Sequence, residues 1–113
     1  METSQRFPAR LIGRVAVITG STGGMGAGIA RRLAAEGAAV VISGRRVEQG
    51  DAAAQAITEA EATRAAGGKA AFVRADVSVE ADCIHLIQAA VARFGRVDIL
   101  VNNAAITPRE PPG

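Results

Sequence analysis

The stretch T-G-S-T-G-G-M-G-A-G at residues 19–28 decides the reading of this chain. It follows R-V-A-V-I-T (residues 14–19), a β-branched run closed by Gly20 and patterned like a strand buried on both faces of a parallel sheet. Beyond it, Met25, Ile29 and Leu33 recur at helical spacing while Arg31, Arg32 and Glu36 fall elsewhere. A helix over residues 24–37 is therefore predicted, packed on the sheet by that apolar stripe and stopped by Gly37. Glycines also mark ordinary turns, but a cluster set between a buried strand and a helix can bring bare backbone against a dinucleotide pyrophosphate. In that role Gly20 gives the tight turn, Gly24 the close approach and Gly26 the close packing of helix on sheet.

Outward from this junction the same alternation repeats. A-V-V-I-S (residues 39–43) reads as a second buried strand, and an alanine-rich, alternately charged stretch over residues 47–66 reads as one helix ended by Gly67 and Gly68. K-A-A-F-V-R (residues 69–74) is a third strand. Residues 79–94 form a third helix, with Val79, Cys83, Leu86, Ile87, Ala90, Val91 and Phe94 on one side, so Cys83 is expected in the core. V-D-I-L-V (residues 97–101) is a fourth strand running into Asn102 and Asn103. Strand and helix in alternation, with right-handed crossovers, give an α/β fold of the Rossmann type: a doubly wound parallel sheet of four strands in the order 3-2-1-4 with three helices. Residues 1–10 read as a flexible tail and residues 11–106 as the dinucleotide-binding domain. Residues 107–113, T-P-R-E-P-P-G, hold three of the four prolines and read as a loose end.

Composition narrows the function classes. At 113 residues, 49% of them apolar, the chain is one globular domain at most, with an aliphatic core because its aromatics are Phe7, Phe72 and Phe94. The net charge of +2 comes from scattered basic residues, not from a basic stripe interleaved with stacking aromatics, so no nucleic-acid partner is expected. The apolar runs are strand-sized, so no membrane partner is expected either. The first ten residues lack the apolar segment of a signal peptide, and the sole cysteine, Cys83, has no disulfide mate. A cytoplasmic setting follows. No Cys/His cluster has zinc spacing, so no metal site is predicted.

ATP hydrolysis is disfavoured because a P-loop needs Lys followed by Ser or Thr after its last glycine, and here Ala27 follows Gly26. The loop after the second strand bears on which dinucleotide is held. An acid there would bond a ribose 2′-hydroxyl, and an arginine would meet a 2′-phosphate. Ser43, Gly44, Arg45 and Arg46 stand here, with no acid before Glu48. Two surface arginines capping a strand are the plainer alternative. NADP(H) is the favoured cofactor, with NAD(H) as the alternative.

With these residues in view, the chain resembles the short-chain dehydrogenase/reductase family over about residues 11–106. The family's T-G-x-x-x-G-x-G stands at residues 19–26, its Asp-Val pair is Asp76 and Val77, and its D-x-L-V-N-N-A-G stands at residues 98–105. The resemblance implies that Ser21, Thr22, Gly23 and Met25 contact the phosphates beside Gly20, Gly24 and Gly26. It also implies that Asp76 and Val77 bracket the adenine and that Asn103 and Ala104 lie along the nicotinamide ribose. Thr19 and Asn103 would tie the first strand to the fourth. Taken alone, Asp76 reads equally as a helix cap or turn residue, and Asn102 and Asn103 as a strand-end turn. Two positions depart from the pattern: Ala105 replaces the family's last glycine, and Gly23 stands where NADP(H)-preferring members often carry a basic residue.

The family's chemistry uses a Tyr-x-x-x-Lys pair with a serine and an asparagine, the tyrosine acting as general acid/base. The chain contains no tyrosine. His85 falls on the third helix off its apolar stripe, and Ser43 and Ser78 stand in no nucleophile-and-base pattern, so no catalytic residue is assigned. The expectation is the NADP(H)-binding portion of an oxidoreductase that exchanges hydride with a carbonyl or alcohol substrate, inactive as this chain alone. A noncatalytic dinucleotide-binding module and an inert truncated remnant are the alternatives. An edge strand carrying Ile99, Leu100 and Val101, with one sheet face covered by a single helix, predicts self-association or a completing partner.

Overall fold

The computed structural model describes residues 10–20 and 24–103. Eight elements follow one another: β1 Val15–Thr19, α1 Gly24–Ala35, β2 Ala39–Gly44, α2 Val47–Glu59, α3 Glu61–Ala66, β3 Lys69–Arg74, α4 Glu80–Phe94 and β4 Ile99–Asn102. The strands form one parallel sheet in the order β3-β2-β1-β4, as the alternation predicts. Val15 pairs with Ala39, Ala39 with Lys69, and Ala16 with Ile99, so all four strands end on one rim.

Every residue of β1 is buried, whereas β3 and β4 at the edges are mostly half-buried or exposed. Successive side chains of a strand point to opposite faces. Ala16, Ile18, Val40 and Ile42 therefore meet Ala30, Ala34, Ala54 and Ile57 of the helices on one face. Val17 and Val41 meet Leu86 and Ala90 of α4 on the other.

Three helix readings need correction. In α1 the buried residues are Gly26, Ala27, Ala30 and Ala34, while Met25 is 73% exposed and Ile29 and Leu33 only flank the core. Both stripes have helical period. The small-residue one faces the sheet because it lets the helix axis come close. In α4 only Leu86 and Ala90 are buried. Cys83 is half-buried, its Sγ donating to the Val77 carbonyl at 3.4 Å, and Val79 and Val91 lie beyond the arc one helix can cover.

The single helix expected over residues 47–66 is two helices, because Ala60 adopts extended backbone (φ −63°, ψ 138°). The turn redirects α3 so that Thr63 is buried and the chain can return past the end of α1. There a Cβ on Gly68 would lie 2.1 Å from the Ala34 carbonyl oxygen, an approach that only glycine permits. The two tails expected at the ends of the chain fall outside the described residues, apart from Arg10.

Candidate functional site

Parallel strands bring four chain exits to one rim, and the crevice beyond strand ends of reversed order is where α/β sheets hold ligands. The reversal lies at β1, which has β2 on one side and β4 on the other. Gly20 leaves β1 at φ 64°, a left-handed value suited to glycine, and α1 opens at Gly24 with φ 62°. A Cβ at Gly24 or Gly28 would meet nothing within 4 Å. The first turn of α1 holds no acidic residue, so the positive end of the helix is not neutralised by its own side chains.

The other exits close around Gly20. Arg45 and Arg46 follow β2, both exposed, Arg46 being the N-cap of α2 without a side-chain cap bond. After β3, the Ala75 N–H donates to the Gly44 carbonyl at 2.9 Å and extends the strand pairing to the rim. Asp76 then makes an Asx turn: its Oδ1 accepts the Ser78 N–H at 3.0 Å and the Ser78 hydroxyl at 2.7 Å. These bonds, the hydroxyl first, hold the Asp76 carboxyl below its usual range, aided by the positive fields of Arg45 and Arg74. The turn reading of Asp76 is thus correct locally.

From β4, Asn103 Nδ2 donates to the Gly20 carbonyl at 3.2 Å and anchors the start of the glycine turn. Thr19 Oγ1 lies 3.2 Å from Asn102 Oδ1 and 3.4 Å from the Val101 carbonyl. The expected tie between β1 and β4 exists: Thr19 reaches Asn102 and Val101, and Asn103 reaches Gly20.

These exits enclose a cavity of about 630 Å³ lined by Gly20, Arg45, Arg46, Asp76, Val77 and Asn103, together with Gly44, Gln49, Ala75 and Ser78. The volume is that of a small-molecule site. Six of the residues singled out from the sequence therefore meet in one place. Gly24, Met25 and Gly26 stand at the start of α1 and do not line the cavity, and Ser21, Thr22, Gly23 and Ala104 lie outside the described residues. Sequence reasoning missed Gly44, Gln49, Ala75 and Ser78. Only Ser78 had a signal, a hydroxyl two residues after an aspartate.

Across the sheet a smaller apolar cavity of about 190 Å³ lies between α4 and the ends of β1 and β4, lined by Thr19, Val77, Cys83, Leu86, Ile87, Leu100 and Asn102. His85 is exposed on α4, and Ser43 is buried within β2. Among the described residues no group of three His, Cys, Asp or Glu could hold a metal, and no helix is long and apolar enough to cross a membrane.

Four parallel strands in this order, with helices on both faces, define a Rossmann-type fold. Residues 14–112 match the short chain dehydrogenase family. An uncharacterized oxidoreductase from Methylorubrum extorquens is 48% identical over 99 residues, which span 87% of this chain and 38% of that protein. The cis-4-hydroxycyclohexanecarboxylate dehydrogenase of Sinomonas cyclohexanicum is 46% identical over 99 residues, 88% of this chain and 37% of that one. A solved short-chain dehydrogenase/reductase from Serratia marcescens superposes with a TM-score of 0.73 at 40% identity, covering 85% of this chain and 37% of its own. The chain belongs to the short-chain dehydrogenase/reductase family of oxidoreductases, which use nicotinamide dinucleotides and act on small molecules. It spans about a third of the length of the curated relatives it matches.

Proposed function

We propose that this chain is the NADP(H)-binding portion of an oxidoreductase that exchanges hydride between nicotinamide and a carbonyl or alcohol substrate. The observation that carries the reading is the rim cavity, which gathers Gly20, Arg45, Asp76 and Asn103 from the ends of four different strands. A dinucleotide fits this set. The acid-free start of α1 and the open space at Gly24 suit a diphosphate, and Arg45, which lines the cavity, is the cation that would meet a 2′-phosphate. Arg46, on the same wall, adds positive charge.

Asp76 and Val77 would bracket the adenine, and Asn103 holds the glycine turn in place through Gly20. Ser21, Thr22, Gly23 and Met25 would serve the phosphates, and Ala104 the nicotinamide ribose, by family resemblance. When bound, the nicotinamide supplies or accepts the hydride. Its proton counterpart needs a general acid/base, which in this family is a tyrosine, and none stands in these 113 residues. The same reading holds that this chain binds without turning over. Measurable NADPH oxidation by it with any carbonyl substrate would overturn that.

A calorimetric titration with NADPH and NADH tests the cofactor. Arg45→Ala should weaken NADPH binding by about tenfold to a hundredfold, the worth of one charge-assisted bond, and leave NADH nearly unchanged. Equal losses for both would refute the 2′-phosphate role. A cytoplasmic setting belongs to the same reading, supported by the lone, half-buried Cys83. So does self-association or a completing partner, supported by Leu100, which is 59% exposed on the edge strand β4.

A further inference from the structure

The carboxylate that shapes the β3 corner of the rim does not itself line the cavity. Asp82, the third residue of α4, accepts two bonds at Oδ2: from the Asp76 backbone N–H at 2.9 Å and from Arg74 Nη1 at 3.3 Å. An acid three residues past a helix cap commonly reaches back to the cap's own amide. The cap of α4 is Val79, which has no side-chain oxygen, and the Val79 N–H donates instead to the Asp76 carbonyl at 2.9 Å. Asp82 reaches beyond it. Asp76 is thus held at its N–H by Asp82, at its carbonyl by Val79 and at Oδ1 by Ser78.

The two bonds to Asp82 differ in weight. The pair with Arg74 joins side chains 52% and 29% exposed, a setting in which ion pairs contribute little. The bond to the Asp76 amide is charge-assisted, and it fixes backbone next to the ligand wall. It also places a negative group in the first turn of α4, where the helix dipole favours it.

We propose that Asp82 is a positioning residue for the adenosine end of the coenzyme site. By gripping the Asp76 N–H from α4, it sets where the Asp76–Val77 wall stands, and the bond to Arg74 is incidental. This rests on the reading of the rim cavity as a dinucleotide site. Asn103 and Gly20, which follow β4 and β1, are bonded to each other on the far side of β2 from this clamp.

The test is a set of titrations of the full chain with adenosine diphosphate and, separately, nicotinamide mononucleotide. Asp82→Ala should bind adenosine diphosphate about tenfold more weakly because the Asp76–Val77 wall loses its anchor, with nicotinamide mononucleotide unchanged. Asp82→Asn keeps an oxygen for the amide and should recover most of the loss. Arg74→Ala should bind like the unaltered chain. Should Asp82→Ala fail to fold, Asp82→Ser, whose shorter arm stops short of the amide, carries the same expectation. Equal weakening of both ligands would mean general loosening and overturn the positioning role, as would an Arg74→Ala loss matching that of Asp82→Ala. If the unaltered chain binds adenosine diphosphate and Asp82→Ala binds it equally well, this inference alone fails. If the unaltered chain binds neither compound, the dinucleotide reading fails and takes this inference with it.

Discussion

The two faces of the sheet draw on the same strands and are covered very differently. On one, Ala16, Ile18, Val40 and Ile42 lie beneath α1 and α2, sealed by Ala30, Ala34, Ala54 and Ile57. On the other, among the described residues, Val17 and Val41 have only α4, which contributes Leu86 and Ala90. The apolar cavity of about 190 Å³ lies on this second side, next to the exposed Leu100. Adjacent residues of β1 thus sit in a tight seam and in a loose one. The rim cavity lies where the two meet, since Val77 lines both cavities.

This contrast can be broken by crowding the tight face. Gly68→Ala would drive a methyl group against the Ala34 carbonyl, backbone that cannot swing aside. A loss of about 3 kcal/mol or more in denaturant unfolding is expected. A loss below about 1 kcal/mol would show that the α1–β3 approach is looser than described.

A matched pair of truncations sharpens the comparison. Ile57 is 1% exposed within the tight core, and Leu86 is 2% exposed but borders the open cavity. Cavity cost depends on how well a site can relax or admit water, so Ile57→Ala should lose about 4 kcal/mol and Leu86→Ala about 2 kcal/mol. Equal losses would mean the two faces are equally close-packed.

Acid probes the seam between β1 and β4. Asp98 Oδ2 accepts the Val15 N–H at 2.9 Å, while Oδ1 takes Arg96 Nη2 at 2.7 Å and lies 3.6 Å from Arg14 Nη1. The bond from Val15 first, and Arg96 second, hold the carboxyl below the usual carboxylate range. A folded-state pKa below the unfolded one gives stability that is fully present above the unfolded value and lost as pH falls through the folded one. Unfolding midpoints should therefore drop as pH falls below about 4, and less steeply in Asp98→Asn than in the unaltered chain. Parallel acid limbs would remove Asp98 from this role.

The smallest effect expected on folding comes from Leu100→Lys on β4. Solvent already reaches this side chain, so stability should stay within about 0.5 kcal/mol. If the loose face drives self-association, sedimentation should shift toward monomer in this variant. An unchanged distribution would clear the face of that role.

Much of the rim was legible beforehand because its residues sit at fixed offsets from strand ends. Arg45 and Arg46 were placed by following β2, whereas Asp76, Val77 and Asn103, which follow β3 and β4, were singled out by family resemblance and read alone as cap or turn residues. The offset broke down where side chains substitute for backbone. Residues 97 and 98 read as strand, yet β4 begins at Ile99, because Asp98 meets Val15 through its carboxylate as well as its own N–H, which donates to the Val15 carbonyl at 2.8 Å. Gly44, Gln49 and Ala75 carried no signal, since their part in the cavity follows from the path of the backbone and not from their chemistry. Asp82 shares the first turn of α4 with Glu80, and nothing local to the sequence sets the two acids apart.

The sequence by itself determined the strand and helix order, the parallel sheet in the order β3-β2-β1-β4 and the glycine turn after β1. Those features follow from short-range sterics, the two periodicities and the handedness of crossovers, all written in neighbouring residues. Tertiary structure alone decided that α1 buries its alanines in place of Met25, that the chain breaks at Ala60, and that Asp82 reaches back to Asp76. Each of these choices lies between locally equivalent options. The decision comes from how closely segments distant in the chain can approach, which no local pattern encodes.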